Sequence, residues 1–215
     1  MRFLPQLFTN NRAWAERRTR DDPAFFQRLC AIQRPEHLWI GCADSRVPAN
    51  EIVGLAPGEL FVHRNIGNIV EPGDANGMAV VQYAVDYLKV AHIIVTGHYR
   101  CGGVQAALGP LTADPLEGWI APVRKLRQLH LGQLAALPSE EDRVDRLCEL
   151  NVVAQVRALS RIPTVLEAWR RGQRLAIHGW IYDLRDGLLR DLEVSMNGTE
   201  ESWQGPFSER PACQE

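Results

Sequence analysis

Apolar and polar positions follow one another along the chain in blocks of two kinds. Short apolar runs at HLWIG (37–41), ELFVH (59–63), HIIVTG (92–97) and RLAIHGWIY (174–182) have the length and the β-branched or aromatic content of buried strands. Helical patterns lie between them. DANGMAVVQYAVDYLKV predicts a helix starting near Asp74 or Asn76, apolar from Met78 to Leu88 and buried on most sides. PSEEDRVDRLCELNVVAQVRALSRIP predicts another: Ser139 and Asp142 make a capping start, Val144, Cys148, Val152, Val156 and Leu159 recur at helical spacing, and Pro163 blocks continuation. NRAWAERRTR and PAFFQRLCAIQ are helical patterns that need another surface to pack against.

The alternation predicts an α/β fold: a central mostly parallel β-sheet with flanking helices and an N-terminal helical arm. A turn at Asp186-Gly187 leads into a last, antiparallel strand. Residues 1–196 read as one domain, and the polar stretch 197–215 as a loosely ordered tail.

Composition narrows the partners. The 215 residues are 46% hydrophobic and 23% charged with a formal net charge of −2, as expected of an ordinary globular domain without an electrostatic footprint for nucleic acid or membrane. Small substrates follow. No leader pattern or run of about 20 apolar residues is present, so the expected location is cytoplasmic. Five scattered cysteines are too few and odd in number for a disulfide framework. Cys30 and Cys148 sit in amphipathic patterns and read as small buried hydrophobes, while Cys213 falls in the tail.

Cys42 and Cys101 differ, because charged residues and glycines surround them at strand ends. WIGCADSRVP follows the first strand and VTGHYRCGG the third. Functional groups of parallel sheets collect at the carboxyl ends of strands, which brings Cys42, Asp44, Arg46, His98 and Cys101 within reach of one another. Two thiolates and an imidazole suit zinc and leave a fourth position open. Spacing alone leaves unrelated structural residues as the alternative. Asp44 as a fourth ligand would close the site, whereas Arg46 paired with Asp44 holds it off the metal.

CADSRVP, GELFVHRN, VVQYAVD and GHYRCGGV resemble the β-class carbonic anhydrases of bacterial type, and CELNV and HGWIYDLRDGLL extend the resemblance to about residue 194. It implies Cys42, His98 and Cys101 as ligands of Zn2+ and Asp44 with Arg46 as the catalytic dyad. The implied reaction converts CO2 and water reversibly to bicarbonate and a proton by attack of zinc-bound hydroxide. Gln33, Phe61, Tyr83 and the amide of Gly102 match substrate-pocket positions. Trp39, Arg64 and Tyr182 match a non-catalytic, allosteric bicarbonate pocket that favours a closed state with Asp44 on the zinc. A homodimer or homotetramer is implied. Gly67 and Arg100 stand where family members carry alanine and glycine. Carbon disulfide or carbonyl sulfide as substrate, a non-catalytic bicarbonate sensor and a zinc-free thiol catalyst are the alternatives.

Overall fold

The computed structural model describes residues 3–31 and 33–198. The chain divides into two units, Met1–Arg34 and Pro35–Glu215. In the first, α1 (Pro5–Asp21) and α2 (Phe25–Ala31) form a helical hairpin. Trp14, Phe25 and Phe26 meet edge to face with centroids 5.0–6.3 Å apart, and Arg18 lies over the Phe25 ring. Cys30 is exposed, contrary to expectation, because neither short helix buries any residue.

The second unit is a five-stranded sheet in the order β2-β1-β3-β4-β5. Its strands are β1 (His37–Cys42), β2 (Leu60–Asn65), β3 (His92–His98), β4 (Ala176–Asp183) and β5 (Leu188–Asp191). The first four run parallel and β5 returns antiparallel along β4. Gly187, with φ 74°, supplies the left-handed residue of the turn before β5. The expected α/β architecture is the one observed.

Helices α3 (Ala49–Ile52), α4 (Ala75–Gln82), α5 (Gly102–Ala106), α6 (Pro115–Leu129), α7 (Leu131–Ala135), α8 (Glu140–Leu159) and α9 (Pro163–Arg170) make the crossovers. Asp74 caps α4 by accepting from the amides of Asn76 and Gly77, and Ser139 caps α8 by accepting from that of Asp142. Alternate residues of β1 point to opposite faces. Leu38, Ile40 and Cys42 enter the main core with α8, which packs across β3 and β4. Trp39 joins Ala49, Leu60 and Ile94 in a smaller cluster.

The segment predicted as one helix over 74–90 departs from regularity. After Gln82 it widens into a π-helical turn, Tyr83–Leu88. Val81, Ala84 and Val85 are buried, but Tyr83 and Tyr87 are 44% and 72% exposed and stack on each other. The expectation of burial on most sides fails on this face, because the wider turn shifts the phase of the apolar stripe.

Candidate metal centre and active site

The sheet places the reactive residues by register. β1 and β3 are direct neighbours, with Gly41 opposite Thr96, so Cys42 and His98 leave the sheet side by side at its carboxyl end. The chain then turns, with Arg100 left-handed at φ 56°, and enters α5 with Cys101 as its capping residue. Cys42, His98 and Cys101 are buried, and their ligand atoms all lie within 4.8 Å of one another. The two sulfurs are 3.7 Å apart and unbridged.

The protons in this cluster can be assigned. His98 Nδ1 is 3.0 Å from the Tyr99 carbonyl oxygen, which can only accept, so Nδ1 carries a proton and Nε2 is the nitrogen left to face the two cysteines. Nε2 is buried without a hydrogen-bond partner. The hydrogen bond between the two thiols holds Cys42 well below the usual thiol range, helped by His98 and the amides of Gly67 and Asp44. The same pairing and burial push Cys101 up, so the pair shares a proton. An imidazole nitrogen without a hydrogen-bond partner beside two cysteine sulfurs is a donor set made for a metal ion, and the backbone carbonyl fixing the imidazole is its expected support.

Asp44 adjoins this cluster, its Oδ2 3.7 Å from His98 Nε2. Arg46 grips it with Nε on Oδ1 at 3.0 Å and Nη2 on Oδ2 at 2.7 Å, while the Arg46 amide donates to Oδ1 at 2.9 Å. The Arg46 guanidinium holds the Asp44 carboxyl far below the usual carboxylate range, so it is ionised at any physiological pH. Arg64 reaches across from β2 and donates to the carbonyl oxygens of Cys42, at 2.9 Å, and Asp44, at 2.5 Å.

Tyr83 lies 5.8 Å from Phe61 between ring centroids. Phe61 is opposite Leu38 in register and so shares the sheet face of Cys42. Gly102 opens α5 with empty space where a side chain would begin. Gln33 is exposed in the N-terminal unit and is no part of this cluster's own unit. Trp39, Arg64 and Tyr182 share the opposite face of the sheet, on β1, β2 and β4. Trp39 is 1% exposed and its indole covers Gly41, where a Cβ would sit 2.3 Å from Nε1.

The sequence pattern also hides two polar residues. Asn151 donates from Nδ2 to the Gly67 carbonyl at 2.8 Å and accepts from Gln155 Nε2 at 2.8 Å. Gln155 in turn accepts from the Val70 amide at 2.9 Å. This buried pair ties α8 to the loop whose Gly67 amide faces the Cys42 sulfur. Gly67 itself is left-handed at φ 76°, so the glycine at this position relieves a strain that alanine would carry. No sequence signal marks the pair, since polar residues by type belong to the surface.

The comparisons with known proteins agree with this geometry. Residues 37–189 match the family model described as carbonic anhydrase. The chain belongs to the β-carbonic anhydrase family. It is 46% identical over 201 residues to a carbonic anhydrase of Emericella nidulans, covering 92% of this chain and 88% of that protein. Its fold superposes on a Coccomyxa β-carbonic anhydrase solved with acetazolamide, with a TM-score of 0.88 and 42% identity over 92% of this chain and 90% of that one. A tetrameric β-carbonic anhydrase of Sordaria macrospora gives a TM-score of 0.85 and 41% identity, covering 89% and 97%.

Proposed function

We propose that the chain catalyses the reversible hydration of CO2 to bicarbonate with a zinc ion held by Cys42, His98 and Cys101. The observation that carries this reading is the buried Nε2 of His98, left without a partner beside two unbridged thiols. When bound there, zinc supplies a Lewis acid that makes a water molecule acidic and nucleophilic near neutral pH. The protein's residues do the rest. Asp44, kept ionised by Arg46, is the acceptor that orients the attacking water by its proton. Phe61 and Tyr83 supply apolar wall for CO2, and the Gly102 amide, among the first amides of α5, is the donor for a substrate oxygen.

We further propose an inhibited state in which Asp44 leaves Arg46 and becomes a fourth ligand, favoured by bicarbonate acting through Trp39, Arg64 and Tyr182. Arg64 makes this physically reasonable. Its guanidinium holds the carbonyls of Cys42 and Asp44, so an anion that engages Arg64 competes with the bonds that fix the dyad loop. Such an effector acts only through its preference for the closed form. Bicarbonate inhibition unchanged in Arg64→Ala would refute this part. A homodimer or homotetramer is proposed as well, supported by the exposed Tyr87 and Ile66 and by the tetrameric Sordaria relatives. Light scattering on purified protein tests it.

The deciding experiment is stopped-flow CO2 hydration by protein of measured zinc content. Turnover should disappear on chelation and return with zinc. A protein that carries one zinc per chain and turns over no CO2 would sink the proposal.

A further inference from the structure

The turn from His98 to Cys101 carries two of the three proposed metal ligands, yet its own backbone stabilises it poorly. Arg100 is left-handed at φ 56°, a conformation that L side chains adopt at a steric cost. The main-chain groups of the turn are satisfied largely from outside it. The Tyr99 amide donates to Tyr182 O across the sheet at 3.0 Å. The Arg100 amide donates to Asp145 Oδ1 at 3.0 Å, and the Cys101 amide lies against the Cys148 sulfur. Tyr99 Oη donates to Glu149 Oε1 at 2.7 Å. Val152 fills the space over Gly97, where a Cβ would come within 2.6 Å of its Cγ2.

Asp145, Cys148, Glu149 and Val152 recur at helical spacing and so share one face of α8. We propose that this face is the template for the ligand turn, with Asp145 as the positioning residue that holds Arg100 left-handed and thereby sets Cys101 beside Cys42. Asp145 is itself anchored. Its Oδ2 lies 3.5 Å from Arg185, whose guanidinium grips Asp183 and sits 5.4 Å over the Tyr99 ring. The Arg100 guanidinium turns outward to Glu141 at 2.6 Å, so its backbone, more than its charge, bears on the site.

The proposal rests on the zinc-site reading, and it makes a coupling prediction that general packing does not. Glycine takes φ 56° without cost, so Arg100→Gly should remove the need for the Asp145 clamp. The test compares wild type, D145A, D145N, R100G and R100G/D145A as full chains. Two readouts are used: zinc transfer to a chromogenic chelator, and the visible absorption of the cobalt(II)-substituted site. D145A should hold zinc roughly tenfold to a hundredfold less tightly, the range for lost outer-sphere support, with an altered cobalt spectrum. D145N, whose amide oxygen still accepts, should resemble wild type, and R100G/D145A should recover most of the loss.

Wild-type retention and spectrum in D145A would overturn the positioning role alone, as would failure of R100G to rescue it. Should D145A not fold, R100G/D145A against R100G replaces it, and a tenfold gap between those two would also overturn the proposal. A wild-type chain that takes up no zinc would instead remove the proposed function, and this inference with it.

Discussion

Asn151→Leu isolates the buried polar link between α8 and the loop behind Cys42. Leucine keeps asparagine's branched shape with bulkier methyl ends, so the substitution removes polar atoms without opening a cavity. It strips the donor from Gly67 O and the acceptor from Gln155 Nε2, both in buried surroundings. Two orphaned groups cost about 2 kcal/mol each, for about 4 kcal/mol in all. Burying leucine's extra apolar surface returns about 1.5 kcal/mol, leaving a net loss of about 2.5 kcal/mol. Urea unfolding at fixed protein concentration measures it as a lower midpoint at unchanged slope. Gln155→Leu likewise orphans two groups, the Val70 amide and Asn151 Oδ1. The double variant orphans only Gly67 O and Val70 N, about 4 kcal/mol against two leucine returns of about 1.5 kcal/mol each, so it should cost about 1 kcal/mol where the singles sum to about 5 kcal/mol. An additive double variant, or a loss below about 1 kcal/mol in N151L, would refute the network.

Gly179→Ala should cost about 1–3 kcal/mol by overpacking, since its Cβ would come within 2.4 Å of Val194 and 3.1 Å of Val152 and Val156; a wild-type melting temperature would contradict this. Acid should destabilise the far end of the sheet. His92 Nδ1 and His178 Nε2, 3.1 Å apart, share one proton, and His37 stacks on His92. Burial first, then neighbouring histidines, depresses both pKa values; Arg174 lowers that of His92, while Glu36 and Asp191 oppose the shifts. The folded pKa values lie below the unfolded value near 6.5, so this stability is whole above about pH 6.5 and is lost as pH falls toward the folded values. Urea midpoints between about pH 7.5 and 5.5 should fall for wild type and fall less for His178→Gln; equal slopes would exclude the histidine row as the cause.

The sheet was legible because its four parallel strands are short apolar runs with β-branched or aromatic residues and the chemistry sits where those runs end. Cys42, Asp44, Arg46, His98 and Cys101 announced themselves by being charged or thiol-bearing beside glycines, and register alone brings them together. What supports them was not legible. Asn151 and Gln155 are polar and by type belong to the surface, yet both are buried, because what satisfies them is a loop more than 80 positions away in the chain. Arg100 gives no sign of a left-handed turn, since the residue that advertises one is glycine. The π-helical turn at 83–88 changes the helical phase within an apolar run that looks uniform, and so turned Tyr83 and Tyr87 outward against expectation.

Arg64 shows how such hidden support bears on chemistry. The proposed metal ligand and dyad share the loop Cys42–Arg46, and the Arg64 guanidinium bonds the carbonyls at both Cys42 and Asp44. The two bonds leave from different nitrogens of one planar group, which sets the spacing between ligand and acid. Lysine keeps the charge but offers a single ammonium on a flexible stem, and cannot reproduce the fork. Arg64→Lys should therefore behave like Arg64→Ala, releasing zinc to a chelator faster than wild type by up to about tenfold, the lower end of the outer-sphere range. If charge alone mattered, Arg64→Lys would match wild type and only Arg64→Ala would fail. That outcome would reduce Arg64 to a source of positive field and remove the geometric coupling between the proposed ligand Cys42 and Asp44.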